Sequence, residues 1–203
     1  SLSDFCCIEM GEILQREAVA RAFMDYAFFR VYKMLRESRS ENGVIPTLIY
    51  IEECWFMLAN PYFEQKIRDW TKTFAKLSAQ LVMATQSLED IANSNVFSSL
   101  RGNILTRIYL PNPNAMSEML MPLYQGQFGL HEDQISQIAL GTQKRDYFIQ
   151  QPGTFRRALM SIDPESLAIV RSDALAQNVF DKWMRSDDPN WKDNYIKEIT
   201  GAH

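Results

Sequence analysis

The sequence predicts an α/β fold in which strands and helices alternate, followed by a β-hairpin and C-terminal helices. Apolar runs at residues 48–51 and 80–85 predict strands of a sheet, and a helical pattern lies between them at about residues 63–77. Two further strand patterns, at residues 146–150 and 156–162, are separated by a Pro-Gly turn and predict the hairpin. The alternation indicates a sheet with flanking helices.

Apolar periodicity predicts the remaining elements. A short buried strand is expected near residues 5–10, and a helix over about residues 17–37 whose apolar face should cover a sheet. A third core strand is expected at residues 103–110, where Pro111-Asn112-Pro113 ends it. The sequence also predicts a helix and loop at residues 88–100 and contains weaker helical patterns at residues 114–124, 132–139, 175–184 and 191–199.

Composition limits the class of protein. The chain has 203 residues, of which 46% are hydrophobic and 23% are charged, as expected for a soluble globular domain with or without a tail. The net charge of −4 argues against a surface that binds nucleic acid all over, but it permits a local basic patch. No apolar run approaches the roughly 18 residues of a membrane span. Three cysteines without metal-ligand spacing indicate a reducing compartment.

Two adjacent carboxylates, Glu52 and Glu53, follow the strand at residues 48–51, and Trp55 comes shortly after them. Open α/β sheets bind ligands at the edge where their strands end. In P-loop nucleoside-triphosphate hydrolases, one acid at this place lies beside Mg²⁺ and the next lies beside the water that attacks the γ-phosphate. The alternative is a buried strand followed by a solvated acidic turn.

Thr85-Gln86-Ser87 follows the strand at residues 80–85. An amide at the end of a neighbouring strand is suited to orienting water or sensing a γ-phosphate. A second interpretation is a helix N-cap by Ser87, and the two are compatible.

Two groups of basic residues also stand out. Arg107 lies inside an apolar strand pattern, where an unpaired charge is costly, so a carboxylate or phosphate partner is expected, with a structural ion pair as the alternative. Arg68, Lys72 and Lys76 recur every four residues and should share one helix face, which is either solvated or a nucleic-acid contact.

These motifs resemble, in order and spacing, the TrbE/CagE group of conjugation and type IV secretion ATPases, which are related to the FtsK and HerA motors. The likeness covers about residues 5–173. It consists of Leu48-Ile49-Tyr50-Ile51-Glu52-Glu53-Cys54-Trp55, Thr85-Gln86-Ser87, the strand ending in Leu110-Pro111-Asn112-Pro113, Phe128-Gly129-Leu130, and the hairpin with its basic second strand.

The sequence departs from this family in two ways. Glu52 stands where the family usually has Asp, and no Gly-x-x-x-x-Gly-Lys-Ser/Thr phosphate-binding loop is present. The resemblance therefore implies the C-terminal part of a longer motor: residues 1–173 as a partial RecA-like P-loop NTPase sheet without its P-loop strand, and residues 174–203 as a helical tail. The missing strand should leave a gap beside the strand at residues 80–85.

The resemblance also implies roles for individual residues, with ATP and Mg²⁺ as ligands. Glu53 would be the general base, Glu52 would act on Mg²⁺ through its water shell, and Thr85 and Gln86 would lie at the nucleotide, with Gln86 as the γ-phosphate sensor. Arg107 would be an arginine finger that acts in trans in a hexamer, with Arg101 as the second candidate.

The implied setting is a secretion or conjugation apparatus at the cytoplasmic side of the bacterial inner membrane, where the ATPase would be peripheral. Its partners would be other apparatus subunits and a DNA or protein substrate. Two alternatives stay open: a docking module without chemistry of its own, and a DNA-translocating relative of the HerA and FtsK motors. By themselves, these 203 residues are expected to be inactive.

Overall fold

A computed structural model describes residues 5–41, 46–55, 61–92, 94, 97 and 101–201. The chain divides into two compact units. Unit 1 comprises Ser1–Leu105 and Glu118–Gly129, and unit 2 comprises Thr106–Ser117 and Leu130–His203. This division reflects compactness alone and does not test the predicted boundary between an ATPase part and a tail after Asp173.

Unit 1 is a mixed α/β unit with a small sheet. Its elements in chain order are α1 (Gly11–Leu14), α2 (Glu17–Glu41), β1 (Thr47–Ile51), α3 (Pro61–Lys76), β2 (Ala79–Met83), α4 (Leu88–Ala92) and α5 (Met121–Gly126). The predicted strands at residues 48–51 and 80–85 and the helix between them are confirmed.

The two strands of unit 1 pair in parallel, from Thr47 beside Ala79 to Ile51 beside Met83. Helix α3 makes the connection between them and contacts β2. Because the strands run in the same direction, both end at the same edge of the sheet, and the segments that follow them leave from neighbouring points.

Burial alternates along β1, so its prediction as a fully buried strand is correct for one face only. Ile49 and Ile51 pack against the core of unit 1, whereas Leu48 is 64% exposed and Tyr50 is 58% exposed. Side chains alternate between the two faces of a strand, and within the described residues only the face of Ile49 and Ile51 joins the core.

Helices α2 and α3 supply most of the core of unit 1. Phe28 of α2 stacks on Trp70 of α3, and Asp25 accepts hydrogen bonds from Tyr62 and from Lys66, the latter at 3.0 Å. The bond from Tyr62 is the main cause that lowers the pKa of Asp25. The fully or nearly fully buried members of this core are Met24, Phe28, Leu35, Cys54, Phe63, Ile67, Phe74 and Ala79.

Unit 2 contains an antiparallel sheet in the order β3-β4-β5 and a group of helices. Its elements are β3 (Arg107–Tyr109), α6 (Glu132–Leu140), β4 (Asp146–Gln151), β5 (Thr154–Leu159), α7 (Pro164–Val170), α8 (Ala174–Met184) and α9 (Trp191–Thr200). The predicted hairpin is confirmed. Its turn is Pro152-Gly153, where Gly153 has a φ of +74°, a value that glycine adopts without strain.

One predicted element is absent, two others are present only in part, and helix α7 was not predicted. Residues 5–10 form no strand, and Phe5 is 82% exposed, because a strand needs a hydrogen-bonded neighbour and none pairs with it among the described residues. The predicted third core strand is shorter and pairs antiparallel with β4 in another sheet, where Tyr109 is buried and Ile108 faces out. Residues 113–120 form turns ahead of α5 in place of a helix.

The last three helices are held by polar contacts at their ends. The Asp173 carboxylate accepts the backbone N–H of Ala176 at 3.1 Å and so caps α8. Its ion pair with Arg171 and this cap lower its pKa to about 2. Tyr195 of α9 donates a hydrogen bond to the backbone oxygen of Ala168 in α7, at 2.7 Å. None of the helices in the described ranges is long and apolar enough to cross a membrane.

Asp146, at the start of β4, has a fully buried side chain. Its Oδ2 accepts the backbone N–H of Thr142 at 2.7 Å and Nη2 of Arg157 at 2.6 Å. The bond from Thr142 is the main cause that lowers the pKa of Asp146, and Arg157 adds to it. This carboxylate therefore fixes the start of the hairpin to the turn before it.

We predict that Asp146→Asn lowers the melting temperature of the chain by about 5 °C or more, because the amide cannot replace the charged bonds to Arg157 and Thr142. The folded-state pKa lies below the ordinary value of 3.8, so the difference from wild type is full above that pH and shrinks as the pH falls through the folded-state pKa. Thermal unfolding between about pH 2 and about pH 7 measures both effects. Asp187→Asn is the control, since Asp187 is exposed, and equal melting temperatures would contradict the role of Asp146.

Candidate functional site

The candidate site is the pair of segments that leave the carboxyl ends of β1 and β2, residues 52–55 and 84–87. Main-chain hydrogen bonds continue beyond the strands and tie these segments together. Ala84 N–H donates to the oxygen of Ile51 at 2.9 Å, and Cys54 N–H donates to the oxygen of Ala84 at 2.9 Å. The two predicted motifs are therefore neighbours in space.

Both carboxylate oxygens of Glu53 accept hydrogen bonds. Oε1 accepts the side-chain amide Nε2 of Gln86, and Oε2 accepts the indole Nε1 of Trp55 at 2.8 Å. The structure thus brings the predicted general base and the predicted phosphate sensor into direct contact, across the edge where the two strands end. Their chemical roles remain predictions.

The backbone of Glu53 has a φ of +49°, in the left-handed region that residues other than glycine adopt rarely. Such a conformation costs on the order of 1 kcal/mol and persists only where neighbouring contacts fix it. The contacts here are the bond of the Cys54 N–H to Ala84 and the two hydrogen bonds of the Glu53 side chain.

Cys54 anchors the turn in the core of unit 1, where its side chain is 1% exposed. Burial raises the pKa of the Cys54 thiol to about 11, and the negative charge of Glu53 adds to that rise. The thiol therefore stays protonated near neutral pH and acts as a small apolar side chain. Its burial fixes where the neighbouring Glu53 and Trp55 leave the core.

Glu52, the first acid, is exposed. A solvent-facing carboxylate is suited to binding Mg²⁺ through the water shell of the ion, since Mg²⁺ retains several of its waters. The described residues contain no group of three or more His, Cys, Asp or Glu side chains that could hold a metal ion. The donors at this edge therefore fit a hydrated Mg²⁺ with one protein carboxylate and do not fit an all-protein cage.

Thr85 and Ser87 form a capping arrangement at the start of α4. Ser87 Oγ accepts the backbone N–H of Asp90 at 3.1 Å, which confirms the predicted N-cap. Thr85 Oγ1 accepts the backbone N–H of Ser87 at 3.4 Å. Ser87 caps the helix while Gln86 reaches Glu53, so the cap is compatible with the predicted role of the amide at a phosphate, which stays a prediction.

The two candidate arginine fingers lie in different units. Arg107 is half-buried in β3 of unit 2, where its Nη1 donates to Oε1 of Gln150 at 3.3 Å, and the same oxygen accepts the Tyr109 hydroxyl at 2.7 Å. Arg101 is exposed in a turn of unit 1 close to Gly129. One contact of Arg107 is thus to an amide oxygen, and the charged partner expected from the sequence stays a prediction.

The predicted basic face of α3 is only partly exposed. Lys72 and Lys76 are exposed, and Arg68 is half-buried. Two lysines four residues apart form a small positive patch, which by itself does not distinguish a solvated face from a nucleic-acid contact.

Sequence reasoning missed two contributors to this site. Trp55 was seen only as an aromatic residue after the acids, although an indole N–H two residues from a carboxylate is a donor that needs an acceptor. Cys54 was considered for metal and disulfide chemistry, whereas its contribution is to be buried. The sequence did contain a signal for this: an apolar Cys54 next to a polar Glu53 is the pattern expected of a turn in which one side chain enters the core and its neighbour faces the surface.

Comparison with known proteins yields relatives that cover most of this chain, while no family model matches it. The conjugal transfer protein TrbE of Rhizobium radiobacter is 33% identical over 171 residues, which are 84% of this chain and 20% of the relative. A probable TrbE conjugal transfer protein of Sinorhizobium fredii (strain NBRC 101917 / NGR234) is 34% identical over 171 residues, which are 84% of this chain and 25% of the relative.

A third relative is the type IV secretion system protein virB4 of Bartonella quintana (strain Toulouse), 28% identical over 151 residues, which are 73% of this chain and 18% of the relative. The chain spans about a fifth to a quarter of the length of the curated relatives it matches. The predicted resemblance is confirmed: over most of its length, this chain is a homologue of the TrbE conjugal transfer proteins and the VirB4 type IV secretion proteins.

Proposed function

We propose that this chain is the C-terminal part of a motor ATPase that energises substrate transfer and assembly in a type IV secretion or conjugation apparatus. The observation that carries the proposal is the contact between Glu53 and Gln86 at the carboxyl edge of two parallel strands. An acid and an amide at this place suit the hydrolysis of a phosphoanhydride, in which a base holds the water and an amide senses the phosphate. The kinship with TrbE and VirB4 proteins supports the same setting.

The proposed architecture is a RecA-like P-loop NTPase sheet to which β1 and β2 contribute, with residues 174–203 as a helical tail. The parallel pairing of β1 and β2 through α3 suits such a sheet. The P-loop strand would lie beside the open edge of β2 and would come from sequence outside these residues. In this proposal the complete motor works as a hexamer peripheral to the inner membrane, together with other apparatus subunits, and the likeness to conjugal transfer and type IV secretion proteins supports the apparatus setting.

In this proposal, each residue at the edge has one task. Glu53 accepts the proton of the attacking water and holds its lone pair toward the γ-phosphorus, whose bond to the bridging oxygen of ADP then breaks. Thr85 and Gln86 lie at the phosphates, and Glu52 holds a water of the hydrated Mg²⁺. When bound, Mg²⁺ supplies charge neutralisation on the phosphate oxygens.

A docking module of the same apparatus is the second candidate. It is favoured by the occupation of both Glu53 oxygens by protein donors and by the absence of a phosphate-binding loop from these 203 residues. A DNA-translocating motor is a third candidate, with which the exposed Lys72 and Lys76 are compatible. Nucleotide hydrolysis separates the first candidate from the second.

We predict that Glu53→Gln, in the full gene product, lowers kcat for ATP by about two orders of magnitude or more, because the amide keeps the shape but loses the basicity. The affinity for MgATP should change by less than about tenfold. Glu52→Gln should instead raise the Mg²⁺ concentration needed for half-maximal activity. Steady-state kinetics and nucleotide titrations measure these effects, with the exposed Glu118→Gln as control.

A reversed pattern, in which Glu53→Gln keeps its turnover and Glu52→Gln loses it, would exchange the two roles. If neither variant changed the rate of ATP hydrolysis or the Mg²⁺ dependence, the ATPase site would be rejected and the docking module would remain.

A second prediction concerns the 203 residues by themselves. Most of the phosphate affinity in this class comes from backbone N–H groups of the phosphate-binding loop, which this sequence does not contain. Calorimetry should therefore detect only weak binding of MgATP, with no measurable hydrolysis. Micromolar affinity would show that these residues hold a nucleotide site of another kind.

The proposed arginine finger can be tested by mixing inactive variants. If Arg107 acts in trans in an oligomer, Glu53→Gln and Arg107→Ala proteins should each be inactive, but a mixture should regain activity at about a quarter of its interfaces. Arg101→Ala is tested in the same way, and Arg156→Ala is the control because Arg156 is exposed on β5. A mixture that stays inactive, with subunit exchange verified, would exclude action in trans.

A further inference from the structure

The hydrogen bond between Trp55 and Glu53 has no task in the proposed mechanism so far. Its indole N–H donates to Oε2 of Glu53 at 2.8 Å, two residues earlier in the chain, while its side chain is 40% exposed. Burial of the ring is therefore incomplete, and its directed hydrogen bond to the carboxylate is the clearer structural contribution. The acceptor is the side chain that the proposed function depends on.

The two hydrogen bonds of Glu53 connect its carboxylate to two different segments of the chain. The Trp55 bond is local, since the indole lies on the same turn as the carboxylate, whereas Gln86 belongs to the segment after β2. An attacking water must approach one carboxylate oxygen in order to give up its proton. The Gln86 amide can leave Oε1 and turn to a phosphate oxygen, because it is exposed and carried by a separate segment.

We propose that Trp55 is a positioning residue, which holds Oε2 of Glu53 throughout turnover so that Oε1 faces the place where the attacking water binds. This inference rests on the proposed ATPase function. A carboxylate held at one oxygen keeps a single orientation, and a misplacement of about 1 Å at a reacting group can cost on the order of 100-fold in rate. The left-handed backbone of Glu53 presents its side chain to the indole.

If Trp55 positions Glu53, its loss should lower kcat and leave KM nearly unchanged. Trp55→Phe keeps an aromatic ring but removes the N–H donor together with part of the ring, so it should lower kcat by about tenfold or more while KM for MgATP changes by less than about threefold. Trp55→Met, which also lacks a donor, is prepared in parallel. Melting temperatures of both variants show which of them keeps the wild-type fold, and kinetics are compared on that one.

A double-mutant cycle with Glu53→Gln tests whether Trp55 acts through the carboxylate. If it does, the loss of the indole N–H should have almost no further effect once Glu53 is replaced. A contribution from general support of the turn would instead add to the loss from Glu53→Gln. The experiment is carried out in the full gene product, with steady-state ATP hydrolysis as the readout.

Trp183 provides the matched control, because its indole N–H donates to Oε2 of Glu198 at 2.7 Å in unit 2, the same chemistry away from the site. Trp183→Phe should leave kcat unchanged. A loss of activity in Glu53→Gln without any loss in Trp55→Phe, or with an additive loss in the cycle, would overturn the role of Trp55 alone. An active Glu53→Gln would overturn the general-base role of Glu53 and this inference with it, and the proposed ATPase function would fall only if Glu52→Gln were active as well.

Discussion

The candidate site depends on the extension of parallel pairing past the ends of β1 and β2. Two main-chain hydrogen bonds, from Ala84 to Ile51 and from Cys54 to Ala84, hold the following segments side by side. Without them, the acids and the amide would lie on two separate loops, each with its own conformational freedom. The buried Cys54 adds a second constraint, since its side chain cannot leave the core without exposing apolar surface.

This constraint explains why the sequence predicted the proximity of these two segments better than the sheet around them. Apolar runs ending in Glu52-Glu53 and Thr85-Gln86 are local signals, and parallel strands necessarily end at a common edge. Strand partners are not local. The pattern of residues 103–110 is compatible with either sheet, and the pairing of β3 with β4 is decided by contacts such as that of Tyr109 with Gln150, 41 residues away.

The same distinction applies to individual side chains. That Gln86 would lie near an acid followed from strand order, but that Trp55 donates to Glu53 depends on a φ of +49° at a residue other than glycine. Glutamate rarely adopts a left-handed backbone, so this turn could not be predicted from the sequence. Likewise, burial cost predicted a charged partner for Arg107, but the strand pattern gave no sign of the Gln150 amide oxygen that accepts hydrogen bonds from both Arg107 and Tyr109.

The occupied carboxylate of Glu53 also bears on when the proposed site could work. Gln86 donates to Oε1 and Trp55 donates to Oε2, but each carboxylate oxygen has a second lone pair, so the two bonds orient Glu53 without blocking it as a base. Each hydrogen bond contributes on the order of 1 kcal/mol net, so in the proposed ATPase an incoming phosphate that offers Gln86 a charged acceptor would draw the amide away. In that proposal, nucleotide binding at Gln86 would change the surroundings of Oε1, the oxygen that the attacking water is expected to approach.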